Sequence, residues 1–113
     1  MPRRRGRLEL LRGTLDLLVL QTLANGALHG YAIAAAIQRD TDQVLQVEEG
    51  SLYPALHRME RRGWIAATWG TTDTNRRARF YELTDDGAAQ LDAELHRWRQ
   101  FSRAVEKVIE PAS

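Results

Sequence analysis

The spacing of apolar residues predicts three helices in succession along the first half of the chain. The first covers residues 11–24, where leucines recur on nearly every side, and a helix that is apolar all round must be covered on more than one face. The second covers residues 30–39, whose run of alanines lets another helix approach closely. The third covers residues 50–62, with a start near Ser51, because Pro54 is tolerated only in a first turn.

The second half of the chain predicts a β-hairpin and one long helix. Residues 64–69 and 78–83 have the character of strands, and the turn-forming residues 70–75 lie between them. Thr84 is suited to a helix N-cap, and the helix after it extends to about Ile109. Three helices followed by a hairpin is the order of a winged helix. We therefore expect a mainly α fold of the α+β class, a winged helix-turn-helix with a long C-terminal helix.

Apolar residues repeat at intervals of three and four along the last predicted helix. That pattern is typical of a helix that packs along another helix. The first helix would help to cover the same apolar row, so we expect a homodimer that the long helix holds together. The expected interface residues are Leu11, Leu15, Leu18, Leu91, Leu95, Trp98, Val105 and Ile109.

Composition narrows the class of protein. Hydrophobic residues make up 43% and charged residues 27% of the 113 residues, which are the proportions of one globular domain. The absence of cysteine excludes a fold stapled by disulfides, a thiolate metal site and thiol catalysis. No apolar run is long enough to predict a membrane span, and charged residues interrupt the segment after the basic N-terminus, unlike in a secretory signal. We expect a cytoplasmic protein.

The distribution of charge favours a nucleic-acid partner although the net charge is only +1. The basic residues are nearly all arginine, whose planar fork of donors suits phosphates and guanine edges. They cluster at residues 3–12, 58–62 and 76–79, whereas acidic residues concentrate at residues 85–94. A merely solvated surface would use lysine equally. The arginines at residues 3–12 would either contact phosphates or form a solubilising tail.

The third predicted helix is the candidate reader of the DNA major groove. Its apolar stripe is Leu52, Leu56 and Met59, and the side chains off that stripe offer donors and acceptors for phosphates or base edges. These outward-facing candidates are Ser51, Tyr53, Pro54, His57 and Arg58. The alternative is an ordinary solvated helix face.

The return strand of the hairpin carries Arg76, Arg77 and Arg79. A basic wing of this kind can lie along the DNA backbone or enter the minor groove. The alternative is a charged hairpin whose arginines protect an exposed strand edge.

Tyr31, at the start of the second helix, would either bond a phosphate or be a half-buried packing residue. We expect a basic segment at residues 1–10, a DNA-binding domain at 11–84 and a dimerisation helix at 85–110.

Several short motifs along the chain resemble the PadR family of transcriptional regulators. They are Gly-Thr-Leu-Asp at 13–16, His-Gly-Tyr-Ala-Ile at 29–33, Gly-Ser-Leu-Tyr-Pro-Ala-Leu at 50–56, Trp-Ile at 64–65, and residues 76–84 leading into Gly87. The single helix after the hairpin is similar to the shorter subfamily. The resemblance implies a homodimeric winged-helix repressor that binds double-stranded DNA and often responds to a small molecule. It also implies that Tyr31 bonds a phosphate.

Trp98 lies on the apolar row of the last helix and has two interpretations. It is either a residue of the dimer core or a flat aromatic wall of an effector pocket between the subunits, since some PadR-like proteins place an aromatic residue at this stretch. Phe101 could contribute from a neighbouring face, and Ser102 could mark a gap in the row. The effector would be a small hydrophobic or aromatic molecule. A regulator with no ligand and a dry interface is the alternative.

Catalysis and metal binding have little support in the sequence. No set of nucleophile, base and orienting residue is apparent, nor is a glycine-rich phosphate loop, so we expect neither an enzyme nor a cofactor. His57 and Glu60 have a spacing that could share a metal ion, but two ligands do not make a site, and we expect no metal. The rival function is a winged helix used for protein–protein contact without DNA, against which the arginine-rich hairpin argues.

Overall fold

The computed structural model describes residues 13–110, so the predictions made for Leu11 and for the arginines at residues 3–12 lie outside it. Within that range the four predicted helices and the predicted hairpin follow one another in the winged-helix order, with one further short strand, and the α+β fold class is confirmed. The elements are α1 (Thr14–Leu23), β1 (Leu28–His29), α2 (Gly30–Asp40), α3 (Glu49–Arg61), β2 (Ile65–Thr71), β3 (Arg77–Leu83) and α4 (Asp85–Ile109).

A hydrophobic core lies between the helices and the sheet. The side chains that are buried to 2% exposure or less are Val19, Leu20, Leu23, Ile33, Leu52, Leu56, Met59 and Ile65. Each apolar side chain of this size contributes about 1.5–3 kcal/mol when it is removed from water. The face of α1 that enters the core carries Leu17, Leu20 and Leu23, whereas Leu15 and Leu18 are only partly buried and pack at its margin.

Helix α3 begins at Glu49, which is earlier than the start near Ser51 that Pro54 predicts. Pro54 therefore lies in the second turn, where its missing N–H leaves the carbonyl of Gly50 without a donor from the next turn. The predicted apolar stripe is confirmed, because Leu52, Leu56 and Met59 are 1%, 0% and 0% exposed. This burial fixes which face of α3 points away from the core.

The sheet is antiparallel with the strand order β1-β3-β2. Strands β2 and β3 form the hairpin that we call the wing, Ile65–Leu83, with Trp69 opposite Arg79 in the register. The strands extend closer to the turn than predicted, to Thr71 on one side and Arg77 on the other. Strand β1 was not predicted at all, because its two residues carry no periodic signal and are extended only through their pairing with β3.

Helix α4 begins as predicted, with the side chain of Thr84 as its N-cap. The Thr84 hydroxyl accepts from the backbone N–H of Gly87 at 3.0 Å and donates to the carbonyl of Gly63 at 2.6 Å. Leu91 is 7% exposed and belongs to the core of its own protomer, so that core accounts for its burial, and its contact with a partner stays a prediction. Leu95 is partly buried against the same core. The last turns of α4, from Trp98 onward, are largely exposed.

Candidate nucleic-acid interface

The outer face of α3 presents polar and aromatic side chains to solvent. Ser51, Tyr53, Pro54 and His57 are all exposed, opposite the buried stripe that holds the helix in place. These side chains offer a hydroxyl, a phenol and an imidazole on one helix face, which are groups that can meet phosphates and base edges.

Tyr53 also joins α3 to the start of α2. Its ring lies so close to Gly30 that a Cβ added there would stand 2.8 Å from the Tyr53 phenol oxygen. Beside it, Tyr31 is 73% exposed, which rules out the half-buried packing role and leaves its phenol accessible at the first turn of α2. His29 fixes that turn, because its Nδ1 accepts from the backbone N–H of Ala32 at 3.4 Å. Tyr31, Glu49 and Tyr53 are among the residues that line a cavity of about 370 Å³.

Arg58 lies off the buried stripe, as predicted, but its side chain is held in an ion pair. Its guanidinium donates to the carboxylate of Asp16 on α1. The Asp16 side chain is only 14% exposed and that of Arg58 is 37% exposed, so the pair is partly shielded from water. Arg58 thus ties α3 to α1, and its charge is already compensated within the protomer.

The three arginines of the wing have different surroundings. Arg77 and Arg79 share one face of β3, as the alternation of side chains predicts, and both cover the ring of Trp69. Arg79 also donates to Glu60 in the last turns of α3 at 2.8 Å. Arg76, next to the turn, is exposed. The ion pair of Arg79 with Glu60 brings this face of the wing next to α3.

Tyr81 lies beneath the arginines of the wing and is 3% exposed. Burial raises the pKa of its phenol, and the nearby positive charge of Arg79 opposes that rise. The phenol is therefore kept neutral in the fold over a wider range of pH than a free tyrosine. Tyr81 acts as part of the core that supports the wing.

Comparison with known proteins assigns the chain to a protein family. The family model of the PadR-like transcriptional regulators matches residues 19–93. The chain belongs to that family. The resemblance predicted from the short motifs is thereby confirmed, and the protein is a DNA-binding transcriptional regulator.

Three transcriptional regulators are similar to this chain over most of their own length. A transcriptional regulator of Mycobacterium tuberculosis is 29% identical over 97 residues, which are 86% of this chain and 87% of that protein. The solved structure of a transcriptional regulator from Clostridium thermocellum has a TM-score of 0.80 at 28% identity, covering 88% of this chain and 96% of that one. A PadR family regulator from Eggerthella lenta has a TM-score of 0.74 at 29% identity, covering 89% and 86% of the two chains.

The last turns of α4 leave a row of large apolar side chains in solvent. Trp98 is 40% exposed and Phe101 54%, with ring centroids 6.1 Å apart, and Ile109 is 67% exposed. Val108 is 80% exposed, and the sequence interpretation missed it because it lies off the predicted row. Ser102 is partly buried and donates to the carbonyl of Arg99 at 3.3 Å.

The described residues give no sign of a metal centre. Between Gly13 and Glu110 no three histidine or carboxylate side chains converge as ligands. Glu60, which the sequence paired with His57 as a metal candidate, is instead engaged by Arg79. No helix in the described part of this regulator is both long and apolar enough to cross a membrane.

Proposed function

We propose that this PadR-like regulator is a cytoplasmic repressor that binds an inverted-repeat operator as a homodimer. The observation that carries the proposal is that contacts hold α2, α3 and the wing together as one surface. The Tyr53–Gly30 contact joins α3 to α2, and the Glu60–Arg79 ion pair joins α3 to the wing. The exposed residues proposed to contact DNA are Tyr31, Ser51, Tyr53, Pro54, His57, Arg76 and Arg77.

In this proposal α3 enters the major groove and the wing lies along the backbone. Tyr53 and His57 face the base edges or the phosphates beside them, while Arg77 neutralises a phosphate. Arg58 and Arg79 were predicted to contact DNA, but each is held by a carboxylate of its own protomer. We assign both to the positioning of α3 and the wing.

The exposed apolar residues of α4 supply the proposed dimer contact. In the proposed dimer, a twofold axis near this region would put the two copies of α3 on one side, within reach of successive major grooves about 34 Å apart. The operator would then share the twofold symmetry of the protein. The proposed interface consists of Leu15, Leu18, Leu95, Trp98, Val105 and Ile109, together with Leu11 outside the described residues.

An effector site between the subunits is part of the same proposal. The exposed rings of Trp98 and Phe101, with Ser102 one turn from Trp98, offer an apolar surface that a small aromatic or hydrophobic molecule could cover. Such a molecule would release DNA only by binding better to a dimer whose α3 spacing does not fit the operator. A ligand-free dimer with a dry interface is the alternative outcome.

The experiment that tests DNA binding is a titration of duplex DNA with purified protein at several salt concentrations. We expect log affinity to fall linearly with log salt, by about 0.9 per phosphate contact. His57→Ala should weaken binding to the operator and leave the salt dependence unchanged if His57 contacts a base. A folded protein that binds no DNA at low salt would contradict the proposal and favour the protein–protein interaction module.

A further inference from the structure

Trp69 is a large aromatic side chain in an unusual position, because it lies on the wing with 60% of its surface exposed. The face of β2 that carries it also carries Ile65, which is buried, and Ala67, which is partly buried. That face extends past the core at Trp69, so packing does not account for an indole there. The ring instead makes cation–π contacts with two arginines. The guanidinium carbons of Arg77 and Arg79 lie 4.6 Å and 5.9 Å from its centroid.

The two arginines on the indole differ in whether their charge is compensated. Arg79 is paired with Glu60, so its guanidinium is both neutralised and fixed to α3. Arg77 pairs with no carboxylate among residues 13–110 and is exposed. Because an indole face carries no formal charge, stacking orients the Arg77 guanidinium and leaves its full positive charge available.

We propose that Trp69 is a positioning residue for DNA binding, whose indole presents the guanidinium of Arg77 to a backbone phosphate. Arg79 has the separate task of anchoring the wing to α3 through Glu60. A long side chain that is already ordered loses less conformational freedom on binding, so Trp69 strengthens a contact that it does not itself make. This inference rests on the proposed DNA-binding surface.

The test measures the affinity for a random-sequence DNA duplex across a salt series, for variants at both positions and in combination. Arg77→Ala should reduce the slope of log affinity against log salt by about 0.9 per bound protomer. The affinity lost through this variant should therefore be roughly eightfold greater at about 0.1 M salt than at about 1 M salt. Trp69→Ala should weaken binding severalfold in the wild-type background and have no effect in the Arg77→Ala background. Trp69→Phe, which keeps an aromatic face, should restore most of the affinity.

Two further variants separate positioning from other roles. Thr68→Ala is the matched control, because Thr68 is exposed on the opposite face of β2 and should bind DNA like the wild type. A variant that adds Glu60→Gln and Arg79→Met to the Arg77→Ala background removes the anchoring pair where no Arg77 contact remains, and it should keep the salt slope of Arg77→Ala alone. Circular dichroism and thermal unfolding of each variant report whether the fold persists.

Several results would overturn the inference. Equal losses from Trp69→Ala with and without Arg77 would show that the indole contacts DNA directly. A loss of folded signal in both Trp69 variants would show a structural role. In the Arg77→Ala background, a further reduction of the slope by the Glu60 and Arg79 changes would show that Arg79 binds phosphate. If the wild-type protein shows no salt-dependent DNA binding, the proposed function fails together with the inference. If the wild type binds DNA but the variants behave in one of the ways above, only the role of Trp69 fails.

Discussion

At the scale of single residues, Gly87 allows α4 to approach the backbone that precedes β2. A Cβ at this position would lie 2.0 Å from the carbonyl oxygen of Trp64, so the backbone must shift to admit one. We expect Gly87→Ala to destabilise the fold by about 1–3 kcal/mol, the usual cost of overpacking.

Gly50→Ala is the matched control for Gly87, because an added methyl there meets no atom within 4 Å in the first turn of α3. It should stabilise the protein by about 0.5–1 kcal/mol through the helix preference of alanine. Urea unfolding of both variants measures the difference. Equal midpoints for the two would contradict the close approach at Gly87.

The raised pKa of Tyr81 predicts how stability changes at alkaline pH. The phenol in the unfolded chain ionises near its ordinary pKa of about 10, while the folded chain holds the proton to higher pH. The stabilising effect is therefore complete below about pH 10 and is lost as pH rises through the folded pKa. Tyr81→Phe should flatten this alkaline decline in the free energy of unfolding, and the exposed control Tyr31→Phe should retain it.

Charge partners were the residue-level feature that sequence reasoning could not predict. The arginine clusters at 58–62 and 76–79 were visible, but Asp16 lies 42 residues from Arg58 and Glu60 lies 19 residues from Arg79. Only the fold brings these groups together. Sequence patterns identify which residue types a surface offers, whereas burial and distant partners decide which of them remain available.

At the scale of elements, the Asp16–Arg58 pair holds α3 against α1. We expect the double-mutant cycle of Asp16→Asn and Arg58→Met to give a coupling of about 0.5–1 kcal/mol in stability, since the pair is partly exposed. Arg58→Met should weaken DNA binding evenly across sequences, because it disturbs the seating of α3. Relaxed specificity at a single base pair would instead show direct base contact by Arg58.

The helices and the wing were predictable because their periodic patterns agree with their burial. Leu52, Leu56 and Met59 have a helical period that the fold uses without change. Strand β1 could not be predicted, because two residues have no period and adopt their conformation from pairing with β3. The row along α4 was predicted as one interface, yet its first part around Leu91 belongs to the protomer's own core.

At the scale of the whole molecule, the exposed end of α4 predicts a dimer. Sedimentation at micromolar concentration should show about twice the chain mass of 12.9 kDa. Val105→Asp with Ile109→Asp should shift the protein toward monomer, because two charges cannot be buried cheaply in an apolar contact. Val44→Asp is the control, since Val44 is 49% exposed far along the chain from α4. A monomeric wild type would contradict the proposed assembly.

Symmetric binding of an operator by the surface of α2, α3 and the wing can be measured by nuclease protection of the DNA upstream of the protein's own gene. We expect two protected half-sites in an inverted repeat, with centres one helical turn or a multiple of it apart. The Tyr53→Ala/His57→Ala double variant should remain dimeric and lose that protection. Unaltered protection by the double variant, or no protection by folded, dimeric wild-type protein, would contradict operator binding through this surface.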